Sequence, residues 1–198
     1  MKHARMNRIY RLVWNAALGV WVAVAETAKG RGKGGSARKS VAVLASLLAL
    51  LSPHSHAADA ANAAVVAGTG SVTTAGSVAK TTTINQTSQR LAIDWTKLST
   101  AANEALVFNQ PNASSIALNR VTGTDASQLL GSLTANGQVF VLNPNGILFG
   151  ATSQVNVGGL VASTLGLSND DFMAGKFSFA NNGSRSSIIN QDGRLKRI

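Results

Sequence analysis

The sequence predicts an all-β protein of short strands, with stacked parallel coils favoured over hairpins. Three observations carry this expectation. Beyond residue 80 the apolar runs have strand length: Leu91-Ala92-Ile93, Ala105–Phe108, Ser115–Leu118, Gln138–Leu142, Ile147–Phe149, Gln154–Val157 and Leu160–Ala162, each closed by Asn, Gly, Ser or Thr. A helical apolar period of ordinary helix length is missing from that stretch. Charge is scarce and Asn abundant, and Trp95 is the one Trp beyond the N-terminal region. Antiparallel hairpins are one use of such strands. Parallel coils are the other, with inward ladders of Val, Ile, Leu and Phe and with Asn and Gly at the corners. The Asn content and the low charge favour coils, although no strict repeat period marks them.

The first 57 residues differ from the rest. The formal charge of the 198-residue chain is +10. Residues 1–40 hold nine basic side chains against Glu26, while residues 41–193 hold six basic and seven acidic groups. The body is therefore close to neutral, which excludes a basic nucleic-acid-binding domain; no nucleic acid is expected as a partner. Residues 12–25 and 41–51 are apolar, and both fall short of the roughly 20 residues a membrane-crossing helix needs. A short membrane hairpin is the bland reading, made unattractive by the basic linker between them. Residues 29–40 form a basic region, 41–51 an apolar core and 52–57 a cleavage region, the three parts of a secretory signal. Ser55-His56-Ala57 and Ala58-Asp59-Ala60 both have the small-x-small cleavage pattern. Residues 6–28 lie upstream of that signal, and the whole region is expected to be helical. The mature domain is then 58–198.

Cysteine is absent and the three histidines are His3, His54 and His56. A mature chain from residue 58 has no thiolate or imidazole, so neither Ser–His–Asp catalysis nor a His- or Cys-held metal is expected, and no cofactor. The mature acids are Asp59, Asp94, Glu104, Asp125, Asp170, Asp171 and Asp192. A polysaccharide-cleaving β-helix would need two opposed carboxylates, and nothing in the spacing selects a pair.

Residues 57–79, rich in Ala, Gly, Thr, Ser and Val, read as a flexible or weakly paired lead-in. Ser168–Lys176 reads as a helical turn or two, with Ser168 as N-cap and Asp170 and Asp171 near its positive end. The inward ladder is expected to include Val107, Leu118, Val139, Val141, Ile147, Phe149, Val155, Val157 and Val161. Asn143-Pro144-Asn145-Gly146 reads as a tight turn: Asn143 can accept a backbone N–H, Pro144 presets φ, Asn145 tolerates the bend, and Gly146 suits positive φ.

Two sets of residues carry a family resemblance. Asn7, Arg8, Tyr10, Arg11, Val13, Trp14-Asn15 and Val24-Ala25-Glu26 resemble the extended signal-peptide region of very large exported proteins of Gram-negative bacteria. Gln138–Gly150, with Ile84–Trp95, Phe108–Ser114, Ala117–Val121 and Gln154–Thr164, resembles the filamentous haemagglutinin N-terminal domain, also called the haemagglutination activity domain. The resemblance implies two-partner secretion: inner-membrane export, removal of the leader by signal peptidase, recognition by an outer-membrane β-barrel transporter, and folding at the cell surface. It implies a right-handed parallel β-helix with capping strands. A long adhesin-type repeat region with host-cell or neighbouring-cell receptors would follow. Asn143–Gly146 matches a family motif tied to secretion. A second family motif, Asn-Pro-Asn-Leu, has its counterpart at Asn109, Pro111 and Asn112, with Gln110 inserted and Ala113 in place of Leu. Arg194–Ile198 fits no coil pattern, so truncation or a non-functional gene fragment is also expected as an alternative, alongside the polysaccharide-active enzyme. Deleting Met6–Glu26 while keeping Lys29 onward should leave a domain that still folds; loss of β-type circular dichroism in that variant would contradict the division of the leader from the fold.

Overall fold

The computed structural model describes residues 10–15, 20–25 and 58–197. Strands β1 (Tyr10–Asn15) and β2 (Val20–Ala25) form an antiparallel pair. This corrects the helical expectation for that stretch of the leader. The reason is local: Val13, Trp14, Val20, Trp21, Val22 and Val24 are β-branched or aromatic and favour strands. The apolar core 41–51 and Ala57 lie outside the described residues.

Residues 58–197 form a parallel β-helix. On its first face lie β5 (Thr81–Gln86), β7 (Ala105–Asn109), β10 (Ser132–Ala135), β13 (Gln154–Val157) and β16 (Arg194–Arg197), in that spatial order. The second face stacks β6 (Arg90–Trp95), β8 (Ile116–Val121), β11 (Gln138–Leu142) and β14 (Gly159–Ser163). The third stacks β9 (Ser127–Leu129), β12 (Ile147–Phe149) and β15 (Ile188–Asn190), with Thr100 bridged in parallel to Leu129. The chain visits the faces in turn, so each strand pairs with its equivalent one coil away. Corner lengths differ from coil to coil, which is why the sequence lacks a fixed period.

The N-terminal end is closed by β3 (Ala63–Ala67) and β4 (Gly70–Ala75), antiparallel to β6 and β5. The lead-in is thus a cap rather than a loose segment. Val72 pairs with Ile84 and Ala63 with Trp95, so the first coil's outer backbone edge is satisfied. Gly68, at φ 78, makes the turn between the two strands, and a Cβ there would meet the Arg90 carbonyl oxygen at 2.1 Å.

Register builds the core. Thr82, Leu106, Leu133, Val155 and Leu195 align along the first face. Leu91, Ala117, Val139 and Leu160 align along the second. Val139, Val141, Ile147, Phe149, Val155 and Val157 belong to the main buried cluster, as the sequence predicts. Three ladder positions are corrected. Val107 is half-buried, while its neighbours Leu106 and Phe108 point inward. Leu118 is buried, but in a second cluster, and Val161 packs against that same cluster. An unbroken apolar run has no unique phase, so period-2 reading cannot say which alternate residues face in.

The second cluster explains why Ile116–Leu118 of β8 and Val139–Leu142 of β11 are unbroken apolar runs. Residues 164–187 leave the stack and return, placing a short helix, Asn169–Met173, beside the outer side of the second face. Ser168 caps this helix, accepting from the Asp171 N–H at 3.1 Å. Phe140 meets the rings of Phe177 at 5.2 Å and Phe172 at 6.4 Å. Arg120 ties the excursion down, with Nη2 2.7 Å from Asp94 and Nη1 donating to the Leu167 carbonyl at 3.1 Å.

Val141→Asp should abolish folding, because an unpaired buried carboxylate costs several kcal/mol, a large share of a domain's stability. Val107→Asp, on the half-exposed side, should still fold. Circular dichroism and thermal melting of the two variants check this; equal damage from both would put the inward face in the wrong phase.

Candidate functional site

The Asn143–Gly146 corner links the second face to the third. Its turn is closed by the Gly146 N–H donating to the Asn143 carbonyl at 3.1 Å. Asn143 is fully buried. Its Oδ1 accepts from the Asn145 N–H at 2.8 Å, and its Nδ2 donates to the Asp125 carbonyl at 3.0 Å and to Ser127 Oγ at 2.9 Å. Asn145 Nδ2 reaches the Gly123 carbonyl at 2.8 Å. Both side chains therefore hold the preceding coil. The following coil is held by backbone: Asn143 N–H donates to the Ser163 carbonyl at 3.0 Å and Ile147 N–H to the Ser187 carbonyl at 3.2 Å. Ser184 Oγ donates to the Pro144 carbonyl. Gly146 has φ 106, and a Cβ there would lie 3.0 Å from the Ser187 oxygen. Pro144 and Asn145 are the half-exposed members of the turn.

The second candidate loop lies at the opposite end of the second face, before β8. The structure does not bring the two motifs together. Asn109 is exposed and donates from Nδ2 to Asn85 Oδ1 at 2.8 Å. Pro111 and Asn112 are exposed, and Asn112 Oδ1 accepts from the Ser114 N–H at 3.0 Å. The inserted Gln110 proves to be the buried residue of the loop. Its Nε2 donates to Gln86 Oε1 at 3.1 Å, the Ser115 carbonyl at 3.1 Å and the Gln138 carbonyl at 3.2 Å. Its Oε1 accepts from the Gly137 N–H at 2.9 Å. Gln86 in turn donates to the Ile116 carbonyl at 3.2 Å. One column of side-chain amides thus joins successive coils at this corner. Gly137 must lack a side chain, since a Cβ would sit 2.7 Å from Gln110 Oε1.

Sequence reasoning missed this column, and it missed the buried pair in which Trp95 Nε1 donates to Asn119 Oδ1 at 3.0 Å. A signal was present: Asn-Gln occurs at 85–86 and again at 109–110, and Asn85 pairs with Asn109 across the stack.

Several of the acids serve structural contacts. Asp94 binds Arg120, Lys97 lies 2.9 Å from Asp125, and Glu104 accepts from the Ala101 N–H at 2.8 Å. Among the described residues no group of three or more His, Cys, Asp or Glu could hold a metal ion. Of the residues expected at the cleavage site, Ala58 is buried in the core and Ala60 starts a 3-10 turn, Ala60–Asn62.

The described fold is a capped parallel β-helix whose coils are joined by side-chain amides at their corners. Residues 36–196 match the TPS secretion domain family, and residues 6–55 match the extended signal peptide of the type V secretion system. The chain belongs to the TPS secretion domain family, the domain of two-partner secretion, which implies an outer-membrane transporter partner and an exported product. The crystal structure of the HMW1 secretion domain from Haemophilus influenzae is similar, with 37% identity and a TM-score of 0.61 over 66% of this chain and 34% of that one. The heme/hemopexin-binding protein of H. influenzae is 44% identical over 100 residues, 50% of this chain and 11% of that protein. The autotransporter adhesin NhhA of Neisseria meningitidis is 51% identical over 43 residues. The chain thus spans about a tenth of these curated relatives' length. None of these relatives supports the polysaccharide-active alternative.

Gln110→Ala should cost about 1–3 kcal/mol, because it strands the Gly137 N–H and part of the Ser115 and Gln138 bonding. Asn109→Ala, at an exposed bond, should cost well under 1 kcal/mol. Urea denaturation of both variants measures the difference, and equal midpoints would remove the amide column as a stabilising feature.

Proposed function

We propose that this domain leads a larger adhesin-type exoprotein across the outer membrane, and that the transporter reads it at the Asn143–Gly146 corner. The carrying observation is the contrast within those four residues. Asn143 and Gly146 are buried and fix the turn, while Pro144 and Asn145 present a small, uncharged, preorganised surface. Such a surface loses little conformational freedom on contact, so even a small patch can contribute to recognition. The Asn109, Pro111 and Asn112 loop is a second exposed candidate, and the inserted Gln110 is used by the fold rather than offered to a partner. Further coils would stack on β14, β15 and β16. Receptors of a downstream region belong to this reading only through the adhesin and heme/hemopexin-binding relatives.

Gly146→Val strains the positive-φ position by roughly 1–3 kcal/mol and crowds Ser187. Asn145→Ala removes one side-chain bond to the Gly123 carbonyl, worth about 1 kcal/mol. With the cognate barrel coexpressed, both should lower surface appearance by more than their loss of thermal stability accounts for. Normal secretion of both, or secretion that falls only in step with stability, would make the turn an ordinary corner.

A further inference from the structure

We infer that signal peptidase cuts between Ala57 and Ala58, and that the α-ammonium group released on Ala58 becomes a structural part of the first coil. Two small-x-small patterns lie side by side here, ending at Ala57 and at Ala60, and both fit a cleavage site. The fold separates them. Ala58 is 6% exposed and shares the main core cluster with Trp95 and Leu98. Its N–H donates to the Ser99 carbonyl at 2.8 Å, and its own carbonyl accepts from Thr82 Oγ1, a buried hydroxyl. Thr82 Oγ1 lies 2.9 Å from Thr74 Oγ1, which accepts from the Ala60 N–H at 2.8 Å. Asp59 accepts from the Ala61 N–H at 3.1 Å and pairs with Lys80 Nζ at 2.8 Å. The Lys80 hydrogen bond holds the Asp59 carboxyl below its ordinary range, and Asp59 raises Lys80 in return.

A cut after Ala60 discards Ala58, Asp59 and Ala60 with all of their bonds and leaves only the Thr74–Thr82 contact. A cut after Ala57 keeps them all. Hydrolysis adds one water across the Ala57–Ala58 peptide bond, leaving a carboxylate on the leader and an ammonium on the domain. The ammonium carries more donors than the amide it replaces, so the bond to the Ser99 carbonyl is kept and becomes charge-assisted. The cut must precede folding, because the closed first coil buries Ala58. The inference rests on the exported state of the chain and not on recognition of the Asn143–Gly146 corner.

The full chain is exported in a Gram-negative host, and the N-terminus of the periplasmic product is read by mass spectrometry, so the outcome does not depend on surface appearance. The expected product begins at Ala58; one that begins at Ala61 overturns the inference. Ala60→Leu, which spoils the second pattern alone, should leave processing unchanged. Ala57→Leu should lower the processed fraction at least fivefold; a normal yield beginning at Ala61 overturns the assignment. For the docked ammonium, the exported product is exposed to an aminopeptidase. Ala58 should be retained in the wild type and trimmed at least fivefold faster in Thr82→Val. Trimming of Ala58 and Asp59 at the same fast rate in both proteins would show a free N-terminal tail.

Discussion

A coil of this β-helix can close only if the backbone amides at its corners find partners, because the corners turn the chain with few ladder bonds of their own. Three kinds of group meet that requirement here. Side-chain amides do so at Gln86, Gln110, Asn143 and Asn145, each spanning from its own coil to a carbonyl or amide of a neighbour. Glycine does so at Gly137, where the Gly158 N–H reaches the Gly137 carbonyl at 2.8 Å and a side chain at either residue would intrude. Hydroxyls do so at the N-terminal end, through Thr74 and Thr82. A buried amide left unpaired costs about as much as several exposed contacts contribute, so these few residues constrain every strand between them.

The strands are the replaceable part. Their inward positions ask only for apolar side chains of suitable volume, and neighbouring coils supply Ala117, Val139 and Leu160 at equivalent places. Corner positions ask for a specific length and a specific pair of donor and acceptor. Gln110 reaches Gln138 and Gly137 in the next coil, a span that Asn, one methylene shorter, would not cover. The same reasoning separates the two exposed loops: Asn109 bonds Asn85 in water, whereas Gln110 bonds where water is excluded.

Strand positions, turn residues and the stacked-coil class were legible in the sequence because period and turn chemistry are local properties. The Ser168 cap was legible for the same reason, since Ser followed by Asp170 and Asp171 is a local signature. The phase of β7 was not, because Leu106, Val107 and Phe108 are all apolar and only the neighbouring coils decide which face in. The outer cluster around Phe140 was hidden because its cover, Phe172 and Phe177, lies far along the chain. The cap was hidden because β3 and β4 are made of small residues whose pairing is set by the edges of β5 and β6. At the corner, Asn143 was legible as a turn residue, but its bonds to Asp125 and Ser127 belong to a coil that the tetrapeptide does not contain.

The cap also bears on what two copies of this molecule can do to each other. A stack of parallel coils has two ends, and identical open ends invite head-to-tail fibres. Here β3 and β4 run against the direction of the coils, and a register break between Val65 and Ala67 disturbs the outermost strand of the second face. The far end of another copy would meet strands of the wrong direction and an interrupted ladder. The domain is thereby polar as a polymerisation unit: one end is able to template more β-structure, and the other is terminated.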